Sequence, residues 1–169
     1  IRSFVNPDPG INDHFGAAVA TIGNNILVGA PLDSTGGGGG GVVYMINATN
    51  GVVLQVFLNP TPAAGDNFGS AITAIDNKVL VGAPNHSTLP APNSGEAYLF
   101  NSATGALIRT FANPTPAAGD LFGASVASFG SNVLIGAPVI DSGSASSSGA
   151  VYLYDGNNGS LLRTFTSPT

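Results

Sequence analysis

The groups in this sequence that could do chemistry are nine carboxylates, two imidazoles and a run of glycines. Three of the acids, Asp13, Asp66 and Asp120, recur at intervals of 53 and 54 residues, each two places ahead of a Phe-Gly pair. An aspartate before a turn ordinarily caps it by accepting local backbone N–H groups, so these three read as structural. Asp8, Glu96 and Asp155 have no counterpart and no partner signature. A carboxylate pair for glycoside hydrolysis need only meet in space, and the pattern nominates none. His14 and His86 occupy non-equivalent places, in neither a nucleophile triad nor a metal-ligand spacing, and both read as solvated loop residues. The glycine run at 36–41 lacks the Lys-Ser/Thr and following helix of a phosphate cradle, so it reads as a flexible tip. With no cysteine, thiolate chemistry is absent too. The reading is that no residue is catalytic and the chain is not an enzyme.

Three Asn-x-Ser/Thr sequons, at Asn47, Asn85 and Asn158, are candidate glycosylation sites and fall in expected loops or turns. Only 8% of residues are charged and the net charge is −5, which leaves nothing to neutralise a phosphate backbone. Nucleic acid is therefore not an expected partner. No apolar run approaches the ~20 residues of a membrane span. Without an initiating Met the chain reads as processed or excerpted. Few lysines and many Ser, Thr, Asn and Gly lean toward an extracellular or cell-surface location.

These residues need a scaffold, and the sequence repeats itself to provide one. The shift that aligns the aspartates also aligns Phe15-Gly16, Phe68-Gly69 and Phe122-Gly123, then Gly29-Ala30-Pro31, Gly82-Ala83-Pro84 and Gly136-Ala137-Pro138, then Tyr44, Tyr98 and Tyr152. The repeats run over 8–60, 61–114 and 115–169, forming one continuous domain. Each is expected to hold four short strands. The first follows Phe-Gly (17–22 in the first repeat), and the second is an apolar run suited to burial on both faces (26–30). The prolines stop the ladder. A variable Gly/Ser-rich loop leads to a third strand around the tyrosine, and a turn at Asn50-Gly51, Thr104-Gly105 or Asn158-Gly159 leads to the fourth (54–58, 107–112, 161–166). Residues 1–7 resemble 108–114, and so read as the spare fourth strand of a preceding unit. Arg2, Arg109 and Arg163, with Gln55 in the first repeat, lie on the face of a nearby Phe and are expected to cover apolar surface with their stems.

Four antiparallel strands per unit without helical periodicity describe all-β, β-propeller-type blades. The paired Phe-Gly and Gly-Ala-Pro signatures resemble the FG-GAP repeat of integrin α-subunit propellers and of many bacterial surface and secreted proteins. Physically, the phenylalanines would anchor the packing between blades, and the small Gly-Ala pairs would suit an inner strand crowded near the propeller axis. The resemblance implies a calcium loop between Phe-Gly and Gly-Ala-Pro, but 21–25, 74–78 and 128–132 hold at most one carboxylate, Asp76, with Lys78 beside it. That set is too poor for a six- to eight-coordinate cation. No cofactor or metal is expected. Calcium stays as an alternative at the acids near the turns, Asp33 and Asp141 (with Asn85 as their counterpart) or Asp13, Asp66 and Asp120.

Three blades fall short of the four to eight of a closed propeller. The expected function is a non-enzymatic extracellular structural or adhesion module. It would associate with itself in a ring or head-to-tail filament, or join further repeats of a longer chain. The alternative is a propeller that binds a glycan or surface protein through the loops after each Gly-Ala-Pro.

Overall fold

A computed structural model of the chain describes residues 3–140 and 147–167. Its secondary structure, among the described residues, is twelve strands and no helix. The strands form three separate four-stranded sheets, one per repeat. The first contains β1 (Ala18–Ile22), β2 (Asn25–Ala30), β3 (Val42–Asn47) and β4 (Val53–Leu58). The second contains β5 (Ala71–Ile75), β6 (Lys78–Ala83), β7 (Glu96–Asn101) and β8 (Leu107–Ala112). The third contains β9 (Ser125–Phe129), β10 (Asn132–Ala137), β11 (Ala150–Asp155) and β12 (Leu161–Thr166). Within each sheet the strands follow in chain order, all antiparallel.

Local sequence explains the meander. Between the first two strands of each repeat only two residues turn the chain, led by Gly23, Asp76 or Gly130 at positive φ. Turns this short cannot wrap a calcium ion with six or more oxygens. The hairpin between the third and fourth strands is longer than expected: five residues rather than a tight two-residue turn. Asn47, Asn101 and Asp155 close it alike, their side-chain oxygens accepting the N–H groups two and three residues on, at 2.8–3.1 Å. Gly51, Gly105 and Gly159 then supply the positive φ. Asp155, without a signature in the sequence, is thus a turn former. Those backbone donors hold its carboxyl below the usual carboxylate range.

The sheets pack face to face, with their first strands β1, β5 and β9 side by side. The crowded Gly-Ala pair therefore lies on the second strand, not on the innermost one, and the cause of crowding is a neighbouring sheet rather than an axis. Residues 3–7 also differ from the spare strand expected over 1–7. Ile1 and Arg2 lie outside the described residues, and Ser3–Val5 form no strand. Phe4 nevertheless packs on the cluster holding Ile46 and Tyr44. It does there what Phe57 of β4 does to Phe100 (5.5 Å between rings) and Phe111 of β8 does to Tyr154 (5.0 Å).

Before each Phe-Gly stands a residue in the left-handed region: His14, Asn67 or Leu121, with φ of 57°, 58° and 57°. Asparagine tolerates this conformation, whereas leucine meets its own carbonyl. Leu121→Asn should therefore raise stability by about 0.5 kcal/mol, part of the left-handed penalty being offset by lost apolar contact. A urea midpoint that does not rise would contradict this account of the turn.

Candidate functional site

The repeated motif residues converge on the seams between sheets. Each seam is built from an aspartate-held turn that presents Phe-Gly to the sheet before it. Asp13, Asp66 and Asp120 are buried. Each accepts a hydrogen bond from the side-chain amide of an asparagine seven residues earlier: Asn6 (2.8 Å), Asn59 (2.8 Å) and Asn113 (2.6 Å). Each also accepts from a backbone N–H three residues earlier, at Gly10, Ala63 or Ala117. Burying a carboxylate is tolerable only with such donors around it. The expected caps are present, but their asparagine partners were not singled out in the sequence. Their constant spacing of seven was the signal.

Held this way, Phe68 and Phe122 are fully buried between sheets. Phe68 sits 5.8 Å from the Tyr98 ring and edge-on to Phe100 at 5.9 Å. Phe122 repeats the arrangement with Tyr152 (5.5 Å) and Tyr154 (6.4 Å). Offset and edge contacts of this kind suit the ring quadrupoles. Phe15, at the outer side of the first sheet, is half-buried and 6.1 Å from Tyr44.

The glycines explain why both halves of the motif are needed. Gly16, Gly69 and Gly123 donate their N–H to the carbonyl of Gly29, Gly82 and Gly136 in their own repeat, at 2.9–3.0 Å. Across the seam, a Cβ on Gly29 would come within 2.0 Å of the Gly69 carbonyl oxygen, and one on Gly82 within 2.0 Å of that of Gly123. Phe-Gly of one sheet thus fits only against the glycine of Gly-Ala-Pro in the sheet before it. Ala30, Ala83 and Ala137 are fully buried beside these contacts. Pro31, Pro84 and Pro138 follow directly where the second strands end.

The loops after Gly-Ala-Pro clamp the same turn. The Phe68 N–H donates to Gly40 at 3.0 Å, the Gly65 N–H to Gly39 at 3.3 Å, and the Phe122 N–H to Ser94 at 3.0 Å. Residues 36–41 are accordingly a packed strap over the next repeat, not a flexible tip. Below the strap, Asp33 is buried and accepts from the Tyr44 hydroxyl at 2.9 Å and the Thr35 N–H at 2.7 Å. The backbone bonds of the loop make His86 and Ile140, rather than Asn85, the counterparts of Asp33, because all three bond alike to a glycine at the loop's end. Asp141 lies outside the described residues. His86 is half-buried, with Nδ1 3.2 Å from Asp66 and Nε2 3.8 Å from Glu96. The expectation of a solvated His86 is corrected, because the loop folds its ring inward onto Tyr98; His14 is exposed.

The remaining expected residues lie on the periphery. Asn47 ends β3 and its side chain serves the hairpin, Asn85 is half-buried in the turn after Pro84, and Asn158 is exposed at a hairpin tip. The Arg163 guanidinium lies over the Phe165 ring at 6.0 Å, a contact of the charged head and not of the stem expected to cover apolar surface. Among the described residues no group of three or more His, Asp or Glu side chains could hold a metal ion.

Among the described residues, the outer face of the third sheet lacks a seam. On the third sheet, Phe129, Val151 and Phe165 are 64%, 39% and 46% exposed, whereas their counterparts Ile75, Val43 and Phe57 are buried within the seams. A groove of about 480 Å³ runs along this face past Gly136, Gly149, Ala150 and Phe165.

The sequence profile of the FG-GAP repeat family matches this chain three times, over residues 2–46, 59–100 and 114–154. Integrin alpha-2 of Bos taurus is 29% identical over 170 aligned residues, taking in 89% of this chain. The chain spans 14% of the length of that integrin.

Gly82→Ala should destabilise the fold by about 3 kcal/mol, the scale of forced overpacking, while in the dilute, monomeric chain Gly136→Ala should cost about 0.5 kcal/mol because, among the described residues, only the Ser125 hydroxyl stands closer than 3.6 Å. Equal losses in denaturant titrations would refute the seam contact. Burial pushes the phenols of Tyr44 and Tyr154 up to about 12 from the ordinary 10.0. Their protonated forms therefore favour the folded state, a contribution complete below pH 10.0 and lost as pH rises through about 12. Denaturation midpoints should fall across that interval, and tyrosinate absorbance should lag that of the unfolded chain.

Proposed function

This chain belongs to the FG-GAP repeat family, and from that premise we propose that it is a non-enzymatic adhesion module of the cell surface or extracellular space, one that works by joining blades to blades. The observation that carries the reading is the contrast between its seams and the outer face of its third sheet. Each internal seam mates Phe-Gly with Gly-Ala-Pro, and the third sheet presents the same Gly-Ala-Pro surface with its apolar side chains uncovered. Exposed apolar patches of this kind mark interaction sites. The similarity to an integrin α-subunit supports the adhesive setting.

The chemistry of the site favours joining over catalysis. Its buried acids are held by amides and backbone N–H groups, and the ring nitrogens of His86 face carboxylates rather than a hydroxyl nucleophile. The first two loops after Gly-Ala-Pro bond to the following repeat, which leaves them little freedom to adapt to a small ligand. Asn158, exposed at a hairpin tip where Asn47 and Asn85 are half-buried, is the sequon best placed to carry a glycan in such a setting.

Self-association is the form of joining that the chain can perform alone, as a ring or a head-to-tail filament. Sedimentation and light scattering of the purified chain over a range of concentrations should show mass rising above 16.7 kDa. A mass that stays at the monomer value throughout would overturn self-association.

A further inference from the structure

The open face of the third sheet has a particular shape to fill, and the two internal seams show which one. In both seams the incoming element is the first side of a repeat: a glycine at positive φ, an adjacent phenylalanine and the five-residue hairpin between the third and fourth strands. Among the described residues one such side has no sheet in front of it, that of the first repeat. Gly16 has the same conformation as Gly69 and Gly123 (φ 94° against 92° and 91°). A Cβ on Gly69 would meet the Val42 carbonyl at 2.8 Å and one on Gly123 the Glu96 carbonyl, but one on Gly16 meets nothing within 4 Å among the described residues. On β1 beside it, Val19 is 71% exposed, whereas its counterpart Ile72 packs into a seam.

We propose that the third sheet docks the first repeat of a second copy of this chain, in the geometry of the internal seams, so that Gly136 of one copy meets Gly16 of the next. This rests on the self-association proposed above and fixes its orientation. The contact joins two different faces, so it is heterologous: it closes into a six-bladed ring of two copies or continues as a filament. A ring of six lies within the range of closed propellers, which three blades do not reach.

Two side chains are poised for this contact. In the seams, Gln55 lies against Gly105 and Arg109 against Gly159, the hairpin glycine of the following repeat. Arg163 is the next in that series, and Gly51 of a second copy is its counterpart. Phe165 is the next after Phe57 and Phe111, and the residue it would meet is Ile46. That place is already taken within the chain by Phe4, where residues 3–5 line a small groove with Ile46, Gly51 and Val53. The segment ahead of the first repeat therefore competes with docking, and Phe165 must displace Phe4 for the seam to form.

The chain has no cysteine, so orientation is readable by disulfide trapping. The variant Arg109→Cys with Asn158→Cys, placed at an internal seam, is the control and should close within one chain. Arg163→Cys protein mixed with Asn50→Cys protein should then cross-link between copies, in preference to either variant with itself. Phe165→Asp, a change at an exposed position, should weaken association about 30-fold or more, as for a central aromatic of an interface. Phe4→Ser should strengthen it. Association that persists with only self-paired cross-links, or that is indifferent to Phe165→Asp, would overturn this orientation while leaving self-association standing. A chain that is monomeric throughout would overturn both.

Discussion

The structure depends on a backbone-to-backbone approach that admits no side chain. At each internal seam the carbonyl of the glycine after Phe lies where a Cβ of the preceding sheet's Gly-Ala-Pro glycine would have to be, 2.0 Å away. Close packing by itself is common in protein interiors. Here it is repeated at one register, so the sheets meet in one way and the large aromatic beside the glycine falls into the same pocket each time. Fully burying such a ring contributes roughly 2–3 kcal/mol, and the glycine pair determines where that burial can happen.

Everything else in the repeat serves this contact. The left-handed residue before Phe aims the ring, and the buried aspartate holds the turn. The asparagine seven residues earlier ties that aspartate to the end of the previous sheet, so the polar tether and the apolar seam link the same two repeats. The strap after Gly-Ala-Pro closes over the turn with backbone hydrogen bonds. Stability in such an array is a sum of repeat terms and neighbour terms, and the neighbour term is concentrated in a few residues. Among the described residues the two outer faces differ: that of the first sheet is partly covered by Phe4, while that of the third shows Phe165 and Phe129 to solvent.

Most of the fold was legible because hydrophobic period and turn residues act locally. The fourth strands at 107–112 and 161–166 match the expected bounds, and the apolar second strand is buried as its composition required. What stayed hidden was relational. Nothing local in Ser3-Phe4-Val5 says that the segment would pack without pairing as a strand. The glycines at 36–41 look flexible in isolation and become ordered only because the next repeat offers donors. Gly-Ala crowding was legible, but its cause was not, since the responsible carbonyl lies 40 or so residues away in the chain. His86 was misread for a similar reason: Asp66 and Glu96 come to it from two other parts of its repeat.

Native-state amide hydrogen exchange tests the central claim most directly. If the seams hold the sheets as one cooperative unit, the N–H groups of Phe68 and Phe122, which bond to Gly40 and Ser94 of the preceding repeat, should exchange only through global unfolding, as slowly as the central strands. Exchange of those two amides at the rate of an exposed loop, with the strands still protected, would mean that the sheets come apart independently and would contradict the account.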